Sequence, residues 1–130
     1  LVSLIDLTPT LLDFAGAKAV GRRPDGMSLK PVLTGKHGIR KRPVLLSSGP
    51  QRAPNGDNLP LFDGVRTPRF VWWRYEDGFE EMYDLRNDPD ELTNIAEDPA
   101  YAKTRDKLVS EWNRLKDCYG KSCRIRTSLP

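Results

Sequence analysis

The segment from residue 61 to residue 85 constrains the fold more than any other part of the chain. Three runs in it combine β-branched, aromatic and polar residues in the manner of strands: 61–66, 69–75 and 79–85. Thr67-Pro68 separates the first two runs, and Asp77-Gly78 favours a two-residue hairpin turn in which both residues have positive φ. The segment therefore predicts an antiparallel sheet, and the apolar run 43–48 adds a fourth strand.

A long amphipathic helix is predicted over residues 99–117. Asp98 supplies an N-cap and Pro99 a first helical residue. The apolar stripe of this helix contains Tyr101, Leu108, Trp112 and Leu115. A stripe of this kind packs on an apolar surface, and the sheet offers one. Adjacent Trp72 and Trp73 point to opposite faces of a strand, so either each covers one side of the sheet or one is left for a partner.

Two shorter helices are predicted before the sheet. Residues 6–15 form the first, with Asp6 as N-cap, and residues 28–35 form the second, with Ser28 as its cap. Residues 49–60 are rich in proline, glycine and asparagine and predict an exposed loop. The expected fold class is α+β: a four-stranded antiparallel sheet with a long C-terminal helix packed on it, plus short N-terminal helices.

The charge of the chain is nearly balanced, with a formal value of +3 over 130 residues, the size of one domain. Basic residues cluster in three places: Arg22-Arg23, Arg40-Lys41-Arg42, and residues 121–126. These clusters either attract a polyanion such as nucleic acid, an acidic lipid surface or a sulfated sugar, or they are solvated loops and a solvated tail. No apolar run is long enough to predict a membrane span. The first residues have the pattern of the interior of a secondary-structure element, so we expect this chain to be a piece of a longer protein.

The two cysteines, Cys118 and Cys123, are four residues apart. This spacing is not that of a thioredoxin-like pair, and a zinc site would need further ligands near it. A local disulfide is the preferred interpretation, and closing so small a ring contributes about 2 kcal/mol. It would indicate an oxidising compartment. Two free thiols in a cytosolic protein remain the alternative.

Residues for chemistry are sparse in this chain. A Ser/His/Asp arrangement would have to use His37, the one histidine, which lies between a helix end and a basic loop. The acidic pairs Glu80-Glu81 and Asp90-Glu91 are adjacent in sequence and are interpreted as solvated carboxylates. The aromatic strand 66–75 is compatible with base stacking, but acidic neighbours balance its charge, and no nucleic-acid partner is expected. The sequence predicts no catalytic and no metal-binding residue.

Four strings in the chain resemble the C-terminal third of type I sulfatases, of the alkaline phosphatase superfamily. In order, they cover residues 3–16, 25–35, 64–70 and 81–94, and the last is the most specific. The cysteine-containing end resembles secreted members that act on aryl or sugar sulfates, including the N-acetylglucosamine-6-sulfatase-like group. The resemblance implies that residues 1–42 are a helical segment and linker at the end of the large sulfatase domain, and residues 43–130 the C-terminal subdomain.

The resemblance also implies where the chemistry is done. In this family a Cys or Ser within Cys/Ser-x-Pro-x-Arg becomes formylglycine, and calcium helps stabilise the sulfate, both in the N-terminal domain. Neither Cys118 nor Cys123 fits that motif. We therefore expect calcium and formylglycine outside this chain, the N-terminal domain and a sulfated aryl or sugar substrate as partners, and an extracellular, periplasmic or other secretory location.

The implied role of this chain is to scaffold and help shape the substrate site. Candidate substrate contacts, chosen because guanidinium and amide groups donate to sulfate oxygens, are Arg52, Asn55, Asn58 and Arg66; the alternative is that they are ordinary surface residues. Without its neighbouring domain, the apolar face of helix 6–15 predicts self-association. Two other functions stay open: a fragment of a related phosphonate or phosphate ester hydrolase, and a stand-alone noncatalytic module that binds acidic glycans or nucleic acid.

Overall fold

A computed structural model describes residues 1–36, 41–50 and 52–129. Within them an antiparallel sheet has four strands, β1 (Val44–Ser47), β2 (Phe62–Arg66), β3 (Phe70–Tyr75) and β4 (Glu80–Asp84), in the order β1-β2-β3-β4. The expected α+β fold is confirmed. His37 and Arg40 lie outside the described residues, so the interpretations that involve them are not tested.

The strand register sorts the side chains of the sheet onto two faces. Val65, Trp72 and Met82 are direct neighbours across β2, β3 and β4, and all three are fully buried. The next row, Gly64, Trp73 and Glu81, points the other way because side chains alternate along a strand. Trp72 and Trp73 therefore lie on opposite faces, as predicted.

The C-terminal helix packs on the first face. A 3-10 turn, Pro99–Tyr101, leads into helix α3, Ala102–Leu115, and Asp98 caps this start by accepting from the Ala100 N–H at 2.8 Å. Leu108, Trp112 and Leu115 are buried as predicted, and the Trp112 ring lies 5.7 Å from that of Trp72. No helix in the described ranges is both long and apolar enough to cross a membrane.

The turn between β3 and β4 differs from the prediction. It has three residues, Glu76 to Gly78, because the Tyr75 N–H donates to the Phe79 carbonyl at 2.9 Å. Only Gly78 has positive φ there, at +89°, as in hairpins that close with one left-handed residue. Asp77 instead accepts from the Phe79 N–H at 2.9 Å, so the predicted two-residue turn is wrong.

The N-terminal helices are shorter than expected: a 3-10 turn Leu4–Asp6 runs into α1 (Leu7–Phe14), and α2 covers Lys30–Leu33. Asp6 holds the predicted N-cap position of α1, but its side chain makes no bond to that helix; it forms part of a capping box at the start of the preceding 3-10 turn. It accepts instead from the backbone N–H groups of Ser3 and Met27 at 2.9 and 3.0 Å. Leu29 holds the cap position of α2, while the predicted cap Ser28 still accepts from the Lys30 N–H at 3.2 Å.

The C-terminal end of the chain folds back on the N-terminal segment and on the unit formed by the sheet and α3. A 3-10 turn, Gly120–Cys123, follows α3, and Cys118 and Cys123 form the expected local disulfide. Ile125 and Leu129 then pack against the core beneath α3.

Candidate functional site

A short hairpin forms the middle of the loop between β1 and β2. Arg52 pairs with Asn58 in an antiparallel bridge, and between them the Ala53 N–H donates to the Asp57 carbonyl at 2.8 Å. Gly56 closes the turn with a φ of +89°, which glycine adopts without strain. The structure therefore places two candidate contacts, Arg52 and Asn58, directly opposite one another, and both are exposed.

Asn55, at the tip of this hairpin, is committed to a local bond. Its side-chain amide donates to the Asp57 carboxylate at 2.6 Å, and its amide oxygen accepts from the Asp57 N–H at 3.2 Å. This arrangement stabilises the turn and puts a negative charge beside the amide. A sulfate at this point would face that carboxylate, so Asn55 is a poorer contact than Arg52.

Arg66 lies apart from the hairpin. It ends β2, whereas the hairpin precedes Phe62 at the start of the strand, and a five-residue strand spans about 13 Å. The Arg66 guanidinium is 3.6 Å from the Glu91 carboxylate, and both side chains are partly exposed. The four candidates therefore do not form one cluster.

Five aromatic rings form a continuous row on the sheet face opposite α3. Neighbouring ring centres are 5.5 to 6.0 Å apart along the series Tyr83, Trp73, Phe62, Tyr75 and Phe79. Contacts at these distances stabilise a face beyond the area they bury. A cavity of about 380 Å³ lies at the Phe79 end, lined mainly by Pro60, Leu61 and Tyr75 with carboxylates at its rim. Its negative rim does not suit a sulfate.

The Glu81 carboxylate binds two tyrosine hydroxyls of this aromatic face. Its carboxylate accepts from the Tyr75 hydroxyl at 3.0 Å and from the Tyr83 hydroxyl. Burial is the largest cause that raises the pKa of both tyrosines; Trp73 lowers the pKa of Tyr75 in part, and the contacts with Glu81 raise both. Their hydroxyls therefore stay protonated at neutral pH and hold the carboxylate in place.

The interpretation of Glu80 and Glu81 as solvated carboxylates is wrong. The Glu80 carboxylate accepts from the Trp72 indole at 2.9 Å and from the Arg105 guanidinium at 2.7 Å. Glu80 and Glu81, which are consecutive in β4, thus make their contacts on opposite faces of the sheet. Strand alternation was the available signal, since it puts Glu81 on the same face as Tyr75 and Tyr83.

Buried contacts of the preceding turn fix the position of helix α1, and the opposite side of the helix is exposed. Asp6 and Arg42 form a buried ion pair, 0% and 5% exposed, and Gly26 packs so tightly that a Cβ there would lie 2.1 Å from the Ile5 carbonyl oxygen. The outward side chains of this segment remain exposed: Leu4 83%, Leu7 53%, Leu11 68% and Phe14 50%. Apolar side chains that are exposed together on one side of a helix are a feature of many interaction surfaces.

Metal binding finds no support in this part of the protein. Across residues 1–36, 41–50 and 52–129, no three His, Cys, Asp or Glu side chains come together as ligands. These residues do not fit the calcium site that the resemblance implies, and that expectation continues to concern another domain.

Comparison with known proteins identifies a class of ester hydrolases. The chain is 35% identical to the Delta 4,5-hexuronate-2-O-sulfatase of Bacteroides thetaiotaomicron over 116 residues, 88% of this chain and 23% of that protein. A protein solved in complex with its substrate D-glucosamine-2-N,6-O-disulfate matches with a TM-score of 0.73 and 28% identity, over 92% of this chain and 24% of that one. The phosphonate monoester hydrolase of Agrobacterium radiobacter matches with a TM-score of 0.60 and 30% identity, over 81% and 23%.

The fold and these similarities define a sulfatase-type domain, which confirms the resemblance seen in the sequence. Within that class, residues 1–118 match the family described as N-sulphoglucosamine sulphohydrolase, C-terminal. The chain belongs to this family. It spans about a quarter of the length of the proteins it matches.

Proposed function

We propose that this chain is the C-terminal part of a sulfuric ester hydrolase and that it shapes the substrate site without supplying the catalytic residues. Residues 1–42 would close the large domain and link it to the subdomain of residues 43–130. The N-terminal domain would hold formylglycine and calcium.

The observation that carries the proposal is the anchored but uncovered helix α1. A solitary module would gain by turning Leu7, Leu11 and Phe14 inward, yet a buried ion pair between Asp6 and Arg42 holds the helix with these residues outward. Removing one partner of such a pair is costly, so the orientation is fixed. The proposal assigns this face to the upstream domain.

The proposed substrate class is a sulfated aryl compound or sugar. A similar protein is known with a sulfated glucosamine as its substrate. Arg52 and Asn58 stand opposite each other on an exposed hairpin, and together they offer a guanidinium and an amide to sulfate oxygens. Arg66, on the far end of β2, would contact a different part of the substrate or none.

A secretory location is part of the proposal. The Cys118–Cys123 disulfide supports it, because such bonds persist in oxidising compartments. Extracellular and periplasmic sites are equally consistent with this bond.

The test starts with the coding sequence upstream of Leu1. A Cys/Ser-x-Pro-x-Arg stretch there and turnover of 4-nitrophenyl sulfate by the complete gene product are the expected results. The 130-residue chain alone should be inactive. A start codon or a stop codon close upstream of Leu1 would instead support the noncatalytic module, and hydrolysis by the isolated chain would contradict the assignment of chemistry to another domain.

A phosphonate ester hydrolase is the second candidate, favoured by the likeness to the enzyme of Agrobacterium radiobacter. The complete gene product should be compared on 4-nitrophenyl sulfate and 4-nitrophenyl phenylphosphonate. Higher kcat/KM for the sulfate is expected. The reverse preference would select the second candidate.

Self-association of the isolated chain is the remaining part of the proposal. The exposed leucines of α1 would pair with a second copy when no upstream domain covers them. Sedimentation velocity at high concentration should show a dimer that Leu7→Asp with Leu11→Asp abolishes. A monomer at every concentration would reject this part.

A further inference from the structure

Two basic clusters that are about a hundred residues apart in sequence meet on one surface. The Arg22 guanidinium lies 4.9 Å from the centre of the Tyr119 ring. The Arg124 guanidinium donates to the Pro24 carbonyl at 2.8 Å, and the Gly120 N–H donates to the Asp25 carboxylate at 2.7 Å. The disulfide-closed turn thus packs directly against the linker that carries Arg22-Arg23.

Part of the third cluster joins them. The Thr127 N–H donates to the Lys41 carbonyl at 3.4 Å, which puts Lys41 next to Arg126. Arg42 does not contribute, because it is buried with Asp6. We call the resulting patch the basic surface; its members are Arg22, Arg23, Lys41, Lys121, Arg124 and Arg126.

The basic surface is concentrated and open. All six side chains are exposed, and in the described ranges only Arg22 has an ion-pair partner, Asp25 at 3.2 Å. The whole chain has a formal charge of only +3, so without these six cations it would be negative. A local charge of this size attracts polyanions even when the net charge is low.

We propose that the basic surface binds a sulfated polysaccharide chain, apart from the residues that shape the reacting end of the substrate. The inference rests on the proposed function, which makes sulfated sugars the substrate class. Four of the six cations are arginines, whose planar guanidinium groups bind tetrahedral oxyanions through paired N–H donors. The surface retains a polymer while its end reacts.

The geometry favours a glycan over a nucleic acid. Single-stranded nucleic acids are held by stacking bases on aromatic rings, and Tyr119, the aromatic side chain within this surface, already has Arg22 over its ring. The Cys118–Cys123 disulfide and the Gly120–Asp25 bond also hold the turn in place before binding. Preorganised cations lose less entropy when they bind an extended anion.

The test uses immobilised heparin and the complete gene product, with Arg23→Gln, Lys121→Gln and Arg126→Gln combined. None of these side chains makes a hydrogen bond in the described structure, so the fold should persist. A matched control combines Arg86→Gln, Lys103→Gln and Lys107→Gln, which are exposed elsewhere. Affinity at about 0.15 M salt should fall about tenfold or more in the first variant, and the slope of log K against log salt by about two to three.

Four outcomes bear on the inference. An equal loss in both variants would overturn it, because net charge and not the basic surface would then govern binding. Equal or tighter binding of a single-stranded DNA oligonucleotide of matched charge would overturn the assignment to sulfated polysaccharide. If the complete gene product is an active sulfatase that heparin does not retain, the inference about the basic surface is rejected and the proposed function stands. If the basic surface causes retention of a protein without sulfatase activity, the inference about the surface is supported and the proposed function is rejected.

Discussion

The N-terminal segment and the sheet with its helix bury opposite kinds of side chain. In the sheet unit the fully buried residues are mostly apolar, with Val65, Trp72, Met82 and Leu108 at its centre. In the segment before the sheet the buried side chains other than Pro43 are polar, Asp6, Thr10 and Arg42, while leucines face outward. One region is held by its own apolar core, and the other is tied down by polar bonds.

This difference lies in how each region covers its apolar surface. A sheet with a helix over one face and an aromatic row on the other stabilises itself by burial. The N-terminal segment places its apolar surface where nothing in residues 1–36, 41–50 and 52–129 covers it. The comparison therefore distinguishes a unit that has its own apolar core from a segment whose apolar side chains are exposed in the described residues.

The largest effect is expected from Asp6→Ala, which should destabilise the N-terminal segment and not the sheet. It leaves Arg42 buried without its partner, which costs about 3–5 kcal/mol for pairs of this kind, and it also removes the acceptor of two backbone N–H groups. Hydrogen exchange should show residues 1–33 losing protection while β2 and β3 keep theirs. Asp13→Ala removes only exposed bonds to Ser28 and Lys30 and should have little effect. Equal loss in the strands would contradict the separation.

Two leucine substitutions, one in each region, compare how much each side chain contributes to the free energy of unfolding. Leu108→Ala opens a cavity in the core and should lower the free energy of unfolding by about 2–5 kcal/mol. Leu11→Ala, at a side chain 68% exposed, should change it by less than about 0.5 kcal/mol in the 130-residue chain. Urea titrations of both variants measure this. Similar losses would mean that the face of α1 is already covered.

The disulfide tests how firmly the two regions are joined. Cys118→Ser with Cys123→Ser removes a small closed ring worth about 2 kcal/mol. The turn Gly120–Cys123 should then leave Asp25 and Pro24, so exchange should rise around residues 22–25 and 118–129 while the sheet stays protected. An unchanged exchange pattern would show that the noncovalent contacts suffice.

The smallest expected effect concerns Glu111 on the buried side of α3. Burial raises the pKa of its carboxyl above the ordinary 4.5, against the lowering effect of the Thr127 hydroxyl and of Arg114 and Lys107 nearby. The folded protein therefore favours the protonated form. Its stabilising contribution is present below the ordinary pKa and lost as pH rises through the folded-state pKa. Glu111→Gln should be more stable than the wild type at neutral pH, and the difference should shrink in acid; a constant difference would contradict the assignment.

Local patterns predicted most of the sheet unit. Alternation located the strands and put Trp72 and Trp73 on opposite faces, and the Asp98-Pro99 pair located the start of the C-terminal helix. These features depend on residues close in sequence. The pairing of the cysteines followed for the same reason.

Long-range polar contacts could not be predicted. Asp6 has the local signature of a helix cap, but its long-range contacts are with Met27 and Arg42, 21 and 36 residues later. The contact of Gly120 with Asp25 spans 95 residues, so two basic clusters that look like separate solvated segments become one surface. In the candidate site, the predicted strand 61–66 already separates Arg66 from the loop, but the sequence does not predict the bridge that places Arg52 opposite Asn58.

The proposed function depends most directly on the outward face of α1, which we propose to be a docking surface for the upstream domain. Hydroxyl-radical footprinting of Leu4, Leu7, Leu11 and Phe14 tests it, in the 130-residue chain under monomeric conditions and in the complete gene product. We expect strong labelling in the former and at least severalfold protection in the latter, with exposed Leu92 as the internal reference. Equal labelling of the four residues in both proteins would contradict the account.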